Sequence, residues 1–202
     1  MKRMAALVLA GVVMAGSAAA DFEKGVKAGV NIATLSGDAV KDASSVTGIV
    51  GGVFVSVGFG PLAVEPDLLF TQKGAKFSQD VLGTAYDFTQ NFSYVDIPVL
   101  LKYNIIPAGP VKPYIGAGPA ISFLLSADQK TAIAGASSTD DIKDQLTSYD
   151  YSVVVDAGVT FSLAVIKLSA DVRYQIGLAD VSKDATASAK NAVISILAGV
   201  AF

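Results

Sequence analysis

Ten residues have the types and spacing that could carry chemistry: Lys27, Glu65, Asp67, Asp96, Lys102, Lys112, Asp156, Lys167, Asp171 and Arg173. Glu65 and Asp67 stand two residues apart, as do Asp171 and Arg173, which is the spacing at which side chains share one face of a β-strand. Five bases and five acids gathered on polar strand faces could line a path for ions, supply paired carboxylates for acid–base work, or neutralise one another in a filled interior. The chain contains no histidine and no cysteine. Ser-His hydrolysis, imidazole general bases and thiolate or imidazole metal sites are therefore excluded. Paired acids at strand spacing are what any alternating polar face produces, so no catalytic residue is assigned. Gly51-Gly52 and the Gly116, Gly118 pair precede neither a helix start nor a P-loop lysine, and no cofactor is implied. Asp140, Asp141 and Asp144 cluster in a polar connection, but their spacing matches no EF-hand loop. They read as a solvated acidic loop, and no metal ligand is assigned.

The elements that must position the ten charges are strands. Period-two alternation marks eight of them, at about 24–35, 46–59, 62–73, 92–103, 111–125, 149–163, 166–176 and 191–202. In the seventh, Ile166, Leu168, Ala170, Val172, Tyr174 and Ile176 oppose Lys167, Ser169, Asp171, Arg173 and Gln175. In the third, Leu62, Val64, Leu68 and Phe70 oppose Glu65, Asp67, Thr71 and Lys73. In the last, Ala192, Ile194, Ile196, Ala198, Val200 and Phe202 form one wholly apolar face. A soluble domain rarely exposes such an edge, whereas in a closed barrel that strand has partners on both sides and its apolar face meets lipid.

Connection lengths support closure. They are long after strands one, three, five and seven, and short after two, four and six, at Gly60-Pro61, Asn104 to Pro110 and around Ala164. That alternation is the rhythm of outer-membrane barrels. The longest uncharged stretch beyond residue 20, Ala43 to Val64, could also be read as a membrane helix, but its six glycines and prolines among valines and phenylalanines favour strand, turn, strand. The expected fold is all-β: an eight-stranded antiparallel up-and-down transmembrane β-barrel with short periplasmic turns and longer outer loops.

Met1 to Ala20 has Lys2 and Arg3, an apolar run, and Ser17-Ala-Ala-Ala20 before Asp21. This is the pattern of a cleaved signal peptide, leaving a barrel domain over 21–202 in the bacterial outer membrane. Removing Lys2 and Arg3 shifts the formal charge from -3 to -5, since two cations leave, and no basic footprint for nucleic acid remains. With 52% hydrophobic and 16% charged residues the chain is unusually apolar for a soluble domain.

Several segments resemble the PorT-like outer-membrane β-barrel family: Gly25-Val-Lys-Ala-Gly-Val-Asn-Ile-Ala-Thr-Leu35, Leu69-Phe-Thr-Gln-Lys-Gly74, Tyr94-Val-Asp-Ile-Pro-Val-Leu-Leu-Lys-Tyr103, Lys112-Pro-Tyr-Ile-Gly-Ala-Gly-Pro119 and Arg173-Tyr-Gln-Ile-Gly-Leu178. The resemblance implies an eight-stranded barrel of the general OmpA and OmpX type, and implies little about activity. In such barrels a terminal aromatic, here Phe202, resembles the signal read by the outer-membrane assembly machinery.

The apolar faces then meet membrane lipid and the ten charges face the lumen. Hairpin geometry predicts that Asp156 meets Arg173. Eight strands leave a lumen that side chains can fill, so the expected role is non-enzymatic: structural, or surface contact through the outer loops with an unidentified ligand. The alternative is a narrow pore or transport facilitator using the polar lumen. A soluble lipocalin-like barrel is the structural rival, and it requires apolar residues inside and polar ones outside.

Overall fold

The computed structural model describes residues 21–36, 44–81, 84–133, 136–179, 181 and 190–202. The expected signal peptide lies outside them. Nine strands follow in chain order: β1 (Asp21–Ser36), β2 (Ser44–Phe59), β3 (Leu62–Val81), β4 (Thr84–Asn104), β5 (Val111–Ile133), β6 (Ala136–Asp141), β7 (Tyr149–Ser162), β8 (Lys167–Gly177) and β9 (Lys190–Ala201). A single turn of 3-10 helix, Lys143–Gln145, precedes β7. All pairings are antiparallel between neighbours, and β1 pairs with β9 from Gly25↔Ala201 to Ser36↔Lys190, so the sheet closes. Eight strands form the barrel, while β6 pairs only with the upper part of β5.

The segment Ala43 to Val64 that could have been a membrane helix is β2, a tight turn and the start of β3. Gly60 adopts φ +64 in that turn, a conformation glycine reaches without steric cost. No described helix is long and apolar enough to cross a membrane. The barrel crosses with strands instead. Leu168 to Ile176 on β8 span about nine residues, the length a tilted strand needs to cross a bilayer.

The distribution of side chains is inside-out relative to a soluble barrel. Val26, Val30 and Ile32 on β1, Val153 and Val155 on β7, and Ile194 and Ile196 on β9 are exposed on the outer wall. Lys27, Glu65, Asp67, Asp96, Lys102, Asp156, Asp171 and Arg173 are buried within. The lipocalin-like rival requires the reverse. At the end that carries the short turns, Phe22, Phe59, Tyr103, Phe161 and Phe202 lie exposed on the wall; toward the opposite end Tyr94 points inward and is 1% exposed.

Two features exceed the strand pattern read from the sequence. The β3–β4 ladder continues to Val81↔Thr84, well beyond Lys73 and Phe92, and β5 runs to Ile133 before turning into β6. A one-residue register shift between Ser93 and Tyr94 leaves Leu125 and Ser126 both on the outside of β5, and Ala127 returns to the inside. This bulge lets β5 keep its pairing with β4 above the apolar band.

Candidate functional site: the lumen

Lys27 comes from β1, Glu65 and Asp67 from β3, Lys102 from β4, Asp156 from β7 and Arg173 from β8. Each points inward because it occupies the polar phase of an alternating strand. The structure joins these six into one ring. Lys27 contacts Glu65, which accepts from Lys102 at 2.7 Å; Lys102 lies 3.8 Å from Asp156. Asp156 is 3.3 Å from Arg173, Arg173 donates to Asp67 at 2.9 Å, and Asp67 Oδ1 is 4.0 Å from Lys27. Charges alternate in sign around the circuit, so every cation touches two carboxylates and every carboxylate two cations. Asp156 and Arg173 are directly opposed across the β7–β8 hairpin, as hairpin geometry predicts.

Burying ions is costly unless they are paired and hydrogen-bonded. The closed alternating ring supplies the pairing, while Asp67 Oδ1, Asp156 Oδ1 and Arg173 Nε are buried without a hydrogen-bond partner among the described residues. Aromatic rings add to it: Lys27 Nζ lies 4.5 Å from the Phe54 ring centre and Lys102 Nζ 4.2 Å from that of Tyr114. Tyr114 has room because a Cβ on Gly158 would come within 2.5 Å of its hydroxyl.

Farther from the short turns, Asp96 holds Lys73 at 2.9 Å, and Lys73 also reaches Ser122 at 3.3 Å. Gln175, with its amide oxygen facing Lys73, links Lys73 (3.2 Å), Asp96 (3.2 Å) and Ser152 (2.8 Å). Asn31 donates to Thr71 at 2.6 Å and accepts from Ser195 at 2.7 Å, stitching β9 to β1 and β3. Apolar layers fill the spaces between: Val50, Leu69 and Leu197 form one, and Leu100, Ala120 and Val154 another.

Not every residue of the ten joins the network. Lys167 turns to the rim, where it pairs with Asp21 at 3.2 Å and with Glu23. Lys112 is half-buried on β5 near that rim and has no ion pair among the described residues. Among the described residues, buried Asp171 accepts from Ser169 at 3.2 Å, and Asp150 accepts from Asn191 at 3.0 Å. The fully buried set is thus Glu65, Asp67, Asp96, Asp150, Asp156 and Asp171 against Lys27, Lys73, Lys102 and Arg173. Six acids stand to four bases there, where the sequence pattern gives five to five.

The other end of the lumen is closed by a lid that the sequence pattern does not reveal. Ile142 and Leu146 flank the 3-10 turn and pack with Val181 onto Leu35, Ala75, Phe92, Tyr94, Leu124 and Ala127. Backbone bonds hold it: Ile142 N to Ala127 O at 3.0 Å, Leu124 N to Ser148 O at 2.9 Å, and Thr147 N to Val181 O at 2.9 Å. The one available signal was the pair of apolar residues four apart in an otherwise polar connection. Asp140 and Asp141 lie exposed at the end of β6. Among the described residues no group of three or more acidic side chains is set to hold a metal ion.

Two small cavities lie within the barrel. A cavity of about 30 Å³ opens toward the rim among Lys27, Glu65, Lys102, Tyr114 and Lys167, and one of about 10 Å³ lies beyond the ring among Asp96, Arg173, Gln175 and Ser195. A single water needs ~10–15 Å³ on this measure. The first has room for a few waters and the second for about one.

Residues 14–183 match a family described as the outer membrane protein beta-barrel domain. Among solved structures, Neisserial surface protein A is 18% identical, with 92% of this chain and 100% of that chain covered at a TM-score of 0.52. OprG from Pseudomonas aeruginosa is 13% identical, with 93% and 98% covered at a TM-score of 0.54. At these identities the likeness is one of fold. No curated protein matches.

Proposed function

The chain belongs to the outer membrane protein β-barrel family, and from that premise we propose that it is a sealed barrel with a non-enzymatic, structural or surface-contact role. Membership places it in the bacterial outer membrane, with its apolar wall against lipid. The observation that carries the sealed reading is the ring of Lys27, Glu65, Lys102, Asp156, Arg173 and Asp67, backed by apolar layers and by the Ile142–Leu146 lid. A pore needs a continuous aqueous path, and side chains here occupy the section that would carry it. The test is swelling of proteoliposomes in isotonic small sugars. Vesicles carrying the protein should swell no faster than empty ones, and rapid swelling would favour the pore or facilitator.

The finer assignments extend this proposal. The segment likeness supports placing the chain among PorT-like barrels. Met1 to Ala20 is the cleaved leader and 21–202 the exported domain, so mass spectrometry of the membrane-extracted protein should find Asp21 at its start. Phe202 is the residue offered to the assembly machinery. It follows β9, is 65% exposed, donates its N–H to Lys24 O at 2.9 Å and lies under Lys24 Nζ. Phe202→Ala should lower the fraction of protein that reaches the heat-modifiable, gel-shifted form. An unchanged fraction would remove that role. No nucleic-acid partner is proposed, since the mature chain carries net negative charge.

A further inference from the structure

The short turns at one end of the barrel contain no charged residue: Phe59-Gly-Pro-Leu62, Tyr103-Asn-Ile-Ile-Pro-Ala-Gly-Pro-Val111 and Phe161-Ser-Leu-Ala-Val-Ile166. Turns that face water draw mostly on Gly, Pro, Asn, Asp and Ser. The β4–β5 and β7–β8 turns instead present hydrocarbon. Val165 is 85% exposed, and Ile105, Ile106 and Leu163 are exposed as well. The two turns are neighbours, since β5 pairs with β7 and Ser162 N donates to Pro110 O at 2.7 Å between them.

A joined set of exposed apolar side chains marks a contact surface, and its position says what covers it. The patch runs without a break into the lipid-facing wall, through Val111 opposite Phe161 and Tyr103 opposite Ile115, all exposed. On β4, β5 and β7 the outward phase stays uncharged from these turns up to Val95, Phe123 and Tyr149. On β1 it carries Lys24 near the start of the strand, with Nζ 5.6 Å from the Phe202 ring centre. That strand lies across the barrel from β5, with β2, β3 and β4 between them on one side and β9, β8 and β7 on the other. The apolar surface therefore reaches farther on the β5–β7 side than beside the chain ends. A protein partner is anchored by aromatic and arginine side chains with hydrogen bonds around them. These turns keep several of their polar groups to themselves: Leu163 N donates to Ile166 O and Ile105 N to Pro113 O, each at 2.9 Å, and Pro107 and Pro110 have no N–H. Fewer donors are left to strand when the turns leave water.

We propose that the β4–β5 and β7–β8 turns are sunk into the membrane interface, where Ile105, Ile106, Leu163 and Val165 contact phospholipid acyl chains, so that the barrel sits deeper on its β5–β7 side than at the chain ends. The turn backbone stays at the boundary between headgroups and acyl chains, because irregular backbone is not tolerated deeper, and the apolar side chains reach inward from there. The chain has no cysteine and no tryptophan, so one introduced residue is the sole reporter of its kind. Ile106→Cys, Val165→Cys and Asp21→Cys are each placed, one barrel per disc, in phosphatidylcholine nanodiscs, which leave both faces open to water. Asp21, exposed at the same end beside the chain start, is the reference for water there. An anionic maleimide should modify the two turn cysteines roughly tenfold more slowly than Asp21→Cys, because the reacting thiolate is suppressed in apolar surroundings. Val165→Trp should be quenched by phospholipid brominated along its acyl chains, while Asp140→Trp, exposed at the opposite end, should not. The heat-modifiable gel shift shows separately that each variant is folded. The proposal is overturned if the turn cysteines react as fast as Asp21→Cys, or if brominated lipid quenches Val165→Trp no more than Asp140→Trp. Turns that serve a second copy or a soluble protein instead would give those results, since the disc holds neither.

Discussion

Glu65 pairs closely with both Lys27 and Lys102, and its removal leaves those two buried lysines with carboxylates no nearer than 4.0 and 3.8 Å. Glu65→Gln should destabilise the refolded barrel by ~3–5 kcal/mol, as breaking a buried ion pair does. Lys112→Met, at the half-buried rim, should change stability by less than about 0.5 kcal/mol. Urea midpoints of the two variants in lipid vesicles would check both, and equal shifts would show that the ring is not the stabilising unit. The contact of Asp156 with Arg173 was legible in the sequence because the short β7–β8 turn fixes its register. The contacts of Lys27 with Glu65 and of Arg173 with Asp67 were not, because β1 and β3, and β8 and β3, are not neighbours. Those pairs depend on the stagger of the closed barrel, which no local pattern encodes.

At the level of elements, alternation located every membrane-crossing strand because each has one apolar face against lipid and a face of polar, small or charged residues in the lumen. It failed above the bilayer. From Gly74 to Asn91 the outward phase turns polar, and the sequence reads as a loop although Phe77 and Phe88 keep the inner phase apolar. The lid was hidden in the same way, since Asp140, Asp141 and Asp144 surround Ile142. Ile142→Asp should place an unpaired charge in an apolar cluster and release the lid. Hydrogen exchange at the Thr147 amide, which donates to Val181 O, should then accelerate while amides of β8 and β9 keep their protection. Unchanged exchange at Thr147 would mean that Ile142 does not hold the lid.

For the whole molecule the decisive quantity is the balance between wall and filling. The wall is apolar outward, which the membrane requires, and the lumen is packed with ions, which only a closed barrel can pair. The ring draws its members from β1, β3, β4, β7 and β8, so it is complete only when the first strand has met the last. On the proposed reading, the same feature that stabilises the barrel also blocks it. The claim that the barrel is sealed is tested most directly by conductance of the purified protein in planar lipid bilayers. Inserted protein, confirmed by its heat-modifiable gel shift, should give no stable unitary current steps at any applied voltage. Reproducible steps from the wild-type chain would contradict the account.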